Sequence, residues 1–217
     1  KTPGTHSEVF KQLADSLKTS QVTEVDFSSC GIGVVALGHL SDWVRDAIAA
    51  LNSLTVDSTG NMKSQKTYTL TAGETSIDLS QKNLGSADVT LLAAWVQRPN
   101  VIASLLEVNM AGAIIGESGP ALVEAIKKSP SLEFITIGKG LRLSLKETYA
   151  SDVFDASNQN IESGGVALIA WWLTTSVSAS LTSLRCGSNP GMVGALDEDG
   201  YLETPDAHIE ALQQLLD

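Results

Sequence analysis

Internal repetition constrains this chain more than any other feature of its 217 residues. Three stretches superimpose without a gap: "VDFSSCGIGVVALGHLSDWV" (25–44), "IDLSQKNLGSADVTLLAAWV" (77–96) and "FDASNQNIESGGVALIAWWL" (154–173). Asp26, Asp78 and Asp155 share a column; so do Ser28, Ser80 and Ser157, and Trp43, Trp95 and Trp172, at offsets of 52 and 77 residues. Units this small cannot bury their own apolar faces, so they must be covered by neighbours.

Weaker copies of the opening pattern lie between them: "LNSLTV" (51–56), "LLEVNM" (105–110), "LEFITI" (132–137) and "LTSLRC" (181–186). Val25, Leu54, Ile77, Val108, Ile135, Phe154 and Leu184 are then equivalent, at steps of 29, 23, 31, 27, 19 and 30 residues. Alternation over each short segment predicts a strand with one buried face. The longer steps carry a helical stripe: Leu37, Leu40 and Val44; Val89, Leu92, Ala93 and Val96; Val166, Ile169, Ala170 and Leu173. One strand and one helix per unit, stacked, predict a curved parallel sheet with helices outside.

The spacing resembles leucine-rich repeats, L-x-x-L-x-L-x-x-N/C-x-L, of the ribonuclease-inhibitor-like subfamily, in the irregular form found in protists. "VTEVDFSSCGI" (22–32) fits every position, with Cys30 at the Asn/Cys place, and "IGESGPALVEAIKKSPSLEFI" (115–135) is similar to that subfamily's helix and following strand. The resemblance implies an α/β leucine-rich-repeat solenoid, a horseshoe with a parallel sheet on its concave face. It covers residues 22–217 as about seven irregular repeats in a single domain spanning 1–217, with 6–18 as an amino-terminal capping helix carrying Val9, Leu13 and Leu17 on one face.

Three departures stand out. The Asn position holds Thr59, Lys82, Ala113, Gly140 and Gln159 in other units, and only Asn189 matches, so most turns must satisfy their backbone groups by other means. The steps of 23 and 19 residues are too short for a full helix; "GNMKSQKTYTLTAGE" and "GKGLRLSLKETYAS" predict extended connections on the convex side. The last unit carries a Gly- and Asp-rich insertion before a final helix opening near Pro205, with no obvious cap beyond it.

A formal net charge of −11 argues against a nucleic-acid backbone as partner and suits a basic protein partner or simple solubility. Two cysteines, Cys30 and Cys186, cannot make a disulfide framework or a cysteine zinc site. The apolar run Val166–Leu173 is too short to span a membrane, and the absence of an Asn-x-Ser/Thr sequon favours an intracellular setting. The chain starts at Lys1 with no visible signal peptide, consistent with processing or excision from a longer protein.

No cofactor or metal site is expected. Gly31-x-Gly33 after a predicted strand mimics a dinucleotide-binding turn, but the third glycine falls at Gly38 and the aligned copies read "NLG" and "NIE". "LDEDGYLETPD" (196–206) has the carboxylates of a calcium loop without its spacing, and reads as a solvated turn with Asp-Gly at its tip. His6, His39 and His208 lie in separate predicted helices, and no nucleophile sits in a recognisable elbow, so no enzymatic role is expected.

The concave strand face is where a partner is expected. Asp26, Asp78 and Asp155 should fall on one line with Thr55, Asn109, Thr136 and Arg185, and Asp57 should lie on the same face. An acidic, hydroxyl-lined surface of this kind suits a protein-interaction or scaffold module, with Asp26, Asp57, Asp78, Asp155, Arg185 and Trp171 as candidate contacts. Two other readings are a GTPase-activating regulator, which the resemblance to Ran-activating proteins implies and which would need an arginine such as Arg185, and a calcium-dependent surface or adhesion protein. Trp172 should pack against a neighbouring helix or connection. Trp171 should point away from the sheet, either shielded by the 139–151 connection or open to a partner.

Overall fold

Each of the seven apolar positions singled out by the repeat lies on a strand. The computed structural model describes residues 7–46, 51–197 and 201–216. It begins with helix α1 (Ser7–Leu17) and strand β1 (Glu24–Asp26), followed by α2 (Val34–Asp46), β2 (Ser53–Asp57), β3 (Thr67–Thr71) and β4 (Ser76–Asp78). Then come α3 (Ser86–Val96), the short α4 (Pro99–Ile102), β5 (Glu107–Asn109), α5 (Gly119–Lys127), β6 (Phe134–Ile137), β7 (Leu141–Ser144) and β8 (Val153–Asp155). The chain closes with α6 (Ser163–Leu173), β9 (Ser183–Arg185), β10 (Ala195–Leu196), β11 (Leu202–Thr204) and α7 (Ile209–Leu216).

The continuous parallel sheet of a horseshoe solenoid is not what these strands build. They divide into separate small sheets ordered β1-β2-β3, β4-β5-β6-β7, β8-β9 and β10-β11, and the fold is mixed α/β. Parallel pairing holds between the repeat strands of the first three groups, while β10 and β11 are antiparallel: Val25 lies opposite Leu54, Ile77 opposite Val108, Val108 opposite Ile135, and Phe154 opposite Leu184. The breaks fall at the two short steps. There the chain turns back instead of crossing over, and β3 pairs antiparallel with β2 while β7 pairs antiparallel with β6. The connections from β2 to β3 and from β6 to β7 are nine and three residues long, shorter than the dozen or so that a parallel crossover needs, whereas an antiparallel return needs only a turn. "TYTLT" alternates, burying Tyr68 and Leu70, and Leu143 is buried in "LRLS", so each return strand has an inner face to add to the core. The connections expected on the convex side are therefore sheet strands, and they occupy the edges on which the parallel ladder would have continued.

The helices form the second layer in chain order, α1 on α2, α2 on α3, α3 on α5, α5 on α6 and α6 on α7. Their predicted stripes face inward: Leu37, Leu40, Val44, Val89, Leu92, Ala93, Val96, Val166 and Ile169 are buried in one contiguous core, Ala170 is also buried, and Leu173 is partly buried against the core. α3 is enclosed nearly all round, and Trp43, Trp95 and Trp172 are fully buried. In α1 the buried residue is Ala14, with Phe10 and Leu17 packed beside the core and Phe10 edge-on to Phe27 at 5.2 Å. Val9 and Leu13, on the same expected face as Leu17, are exposed. His6 lies outside the described residues.

The turns after the strands repeat more faithfully than the sheets do. Ser28, Ser80 and Ser157 each donate their amide to the carboxylate two residues earlier, at 2.8, 2.9 and 2.9 Å. Next come two left-handed residues, one apart: Ser29 and Gly31, Gln81 and Asn83, Asn158 and Asn160. Gly31 thus occupies the place that asparagine fills in the other copies, and asparagine is among the few side chains that tolerate this conformation. Its role in the repeat is to hold this left-handed turn conformation. Cys30, by contrast, is exposed and does not take the inward role of the Asn/Cys position.

In the units of Thr59 and Ala113, which lack the turn asparagine, a carboxylate in or just before a helix takes its place. Asp88 Oδ2 accepts from Thr59 N, Thr59 Oγ1 and Gly85 N at 2.7, 2.7 and 2.8 Å. Glu162 accepts from Ile115 N and Gly116 N at 3.1 and 2.7 Å, and from Gly164 N at the start of its own helix. Asn189 behaves as its position predicts, accepting from Ile161 N at 3.0 Å and donating to Ala156 O at 2.8 Å.

Candidate functional site

The sheet face away from the helices carries most of the candidate residues. Strand alternation places Glu24 and Asp26 of β1, Thr67 and Thr69 of β3, and Ser76 and Asp78 of β4 in solvent, while Leu54, Leu70 and Ile77 are buried behind them. The single line of side chains expected across seven strands is broken into three by the sheet boundaries. Asp26 lies opposite Thr55, which lies opposite Thr69; Asp78, Asn109, Thr136 and Arg142 form a second row; Asp155 lies opposite Arg185 in a third.

Hydrogen bonds fix this surface. Thr55 and Thr69 share a hydroxyl contact of 2.8 Å. Asp57 accepts from Ser29 N at 2.6 Å and Thr67 Oγ1 at 2.7 Å, tying the first turn to the return strand. Asp26, Asp78 and Asp155 have carboxyls held below their ordinary value: Asp26 first by the Ser28 hydroxyl, Asp78 and Asp155 first by the amides of Ser80 and Ser157. Asn109 makes the same contact with Ala111 N at 3.1 Å, so the turn requires an acceptor and not a charge.

Charge is unevenly distributed over the face. The strands of the first sheet carry Glu24, Asp26 and Asp57 and no Lys or Arg, and β4 adds Asp78. In the second sheet Arg142 neutralises Glu107 with two contacts of 3.1 and 3.3 Å, its guanidinium stacked 3.6 Å over the Phe134 ring. Arg185 stands beside Asp155 and helps to hold its carboxyl low. That pairing sets Arg185 within the sheet face. Arg142 was missed in the sequence because its strand was read as a connection.

The two tryptophans of "AWWL" have separate surroundings. Trp172 Nε1 donates to Ser144 O at 2.7 Å, and its ring meets Tyr149 edge-on at 5.6 Å and Phe154 at 4.8 Å. The 139–151 connection thus covers Trp172. Trp171 is half-buried and lines a shallow groove of about 340 Å³ with Pro120, Val123 and Lys127 of α5. The groove is apolar at its base, with a Glu124–Lys127 ion pair of 2.8 Å at its rim.

A larger cavity, about 680 Å³, opens where α3 and α6 begin, lined by Ser86, Glu117, Asn160, Glu162, Asp197 and His208. Glu162 is committed there to three backbone amides. Among the described residues no group of His, Cys, Asp or Glu is arranged to hold a metal ion. β10 and β11 pair antiparallel, with Asp197 N donating to Tyr201 O at 2.8 Å; residues 198–200 of the 196–206 segment lie outside the described residues. Cys186 is half-buried, and burial pushes its thiol up, away from a reactive thiolate. Among the described residues, no helix is long and apolar enough to cross a membrane.

Compared with models of known protein families and with curated proteins, the chain matches none.

Proposed function

We propose that this chain is a protein-binding module whose first sheet and β4 receive a basic segment of a partner. The observation that carries the reading is the charge on that face: Glu24, Asp26, Asp57 and Asp78 project from β1, β2 and β4, which bear no Lys or Arg, on a backbone fixed by the Asp57 and Ser80 contacts. The nearby Lys66 and Lys82 are bonded to the backbone oxygens of Gln81 and Thr67. Fixed carboxylates lose little side-chain entropy on binding, and a single-sign patch steers and selects an oppositely charged partner.

A fluorescent peptide of about ten residues, alternating Lys with Ser, tests this by anisotropy. Binding should weaken with salt, and an Asp26→Asn/Asp78→Asn variant should lose about fivefold or more in affinity, because both turns keep their acceptor as Asn109 does. Glu124→Gln, on the helix layer, should bind as the unaltered protein does. No binding by the unaltered protein, or equal losses in both variants, would refute the proposal.

A further inference from the structure

The two ends of the molecule carry unmatched strand edges of opposite character. Among the described residues β1 pairs only with β2 and β9 only with β8. At the interior repeat positions Leu54, Ile77, Val108, Ile135 and Phe154 are 0, 5, 2, 1 and 1% exposed, whereas Leu184 of β9 is 39% exposed. The helix layer shows the same deficit: Val9 and Leu13 of α1 are 62 and 45% exposed at one end, and Ile209 of α7 is 39% exposed at the other.

We propose that the chain associates end to end with further copies of itself, β9 of one copy pairing in parallel with β1 of the next. Open edges are templates for strand addition, and proteins block them with proline, bulges or inward-pointing charges. Neither "EVD" nor "SLR" has a proline or a bulge; both are short and carry charges, and those charges are complementary, acidic on β1 and basic on β9. A second copy fits better than an arbitrary strand because of charge and register. Continuing the ladder in the register of β8 and β9 sets Ser183 beside Glu24, Leu184 beside Val25 and Arg185 beside Asp26 of the next copy. Leu184 would then be covered as its counterparts are. Arg185 would lie between Asp155 of its own copy and Asp26 of the next. On the helix side, the apolar residues of α7 and α1 would be brought toward each other. The contact joins two different surfaces, so it does not close on itself as a twofold dimer does. This association stands independently of the basic-peptide reading.

Sedimentation velocity of the full chain from about 1 μM to about 1 mM covers the range of weak specific association. The weight-average mass should rise past that of a dimer, as an open-ended contact requires. Leu184→Lys should leave a monomer, and Arg185→Glu should weaken association about tenfold or more. Both side chains are exposed, and far-UV circular dichroism should confirm that each variant stays folded. In a Cys30→Ser background, Ser183→Cys mixed with Glu24→Cys should give an intermolecular disulfide, which Thr69→Cys in place of Glu24→Cys should not. A monomer throughout the range overturns the proposal. So does association that survives Leu184→Lys and is lost instead in Trp171→Ala, which would place the contact in the α5–α6 groove.

Discussion

The Tyr68 hydroxyl donates to Asp88 Oδ1 at 2.9 Å, joining the first return strand to helix α3 inside the core. Both residues are buried, and the other carboxylate oxygen is occupied by Thr59 and Gly85. A carboxylate in such a place is tolerable only while its lone pairs are met. The hairpin that interrupts the sheet is therefore also what allows the buried acid.

Tyr68→Phe should destabilise the fold by about 1.5–3 kcal/mol, the range for a hydrogen bond to a charged group, as measured by urea unfolding at neutral pH. Burial, and then Asp88, hold the Tyr68 phenol well above its ordinary value. A proton bound more tightly in the folded state stabilises fully below the unfolded pKa, and that contribution fades as pH rises above it. The unaltered protein should therefore lose stability above about pH 10 more steeply than Tyr68→Phe.

At the acid end the sign reverses. Asp26, Asp78 and Asp155 are held below their ordinary values by the serines that follow them. Their contribution is present above the unfolded carboxyl pKa and lost as pH falls through the folded one. An Asp26→Asn/Asp78→Asn/Asp155→Asn variant should show a shallower fall of melting temperature between about pH 4 and pH 2.

Two glycines should respond in opposite ways to alanine. A Cβ on Gly164 would collide with the Gly116 backbone, lying 2.7 Å from Gly116 N, where the start of α6 approaches the turn before α5. Gly164→Ala should cost about 2 kcal/mol or more. Gly38 sits inside α2 with open space around its would-be Cβ, and Gly38→Ala should stabilise by about 0.5–1 kcal/mol. Paired thermal melts decide both.

The adjacent tryptophans should also separate. Trp172→Ala removes a fully buried ring and its bond to Ser144, at a cost of about 3–5 kcal/mol. Trp171→Ala, at the half-buried groove, should cost clearly less. Denaturant midpoints measured side by side give the comparison.

The sequence by itself determined the features that depend on short-range contacts. Asp-x-Ser followed by two left-handed residues closes a turn within six residues, and for that reason Asp26, Asp78 and Asp155 were legible as equivalent. The inward positions from Leu54 to Phe154 and the stripes of α2, α3 and α6 follow from strand and helix periods in the same local way. The binding face could be read only in part: Asp26, Asp57 and Asp78 were visible as strand residues, but Arg142 and Thr69 were hidden in segments taken for connections. Tertiary structure alone decided that β3 and β7 return antiparallel, that Asp88 and Glu162 replace absent asparagines across 29 and 46 or 47 residues, and that Leu184 stays uncovered. Alternation shows which side of a strand is buried, but it does not encode the strand's direction or its neighbour. Those depend on contacts distant in sequence, settled only when the chain has packed.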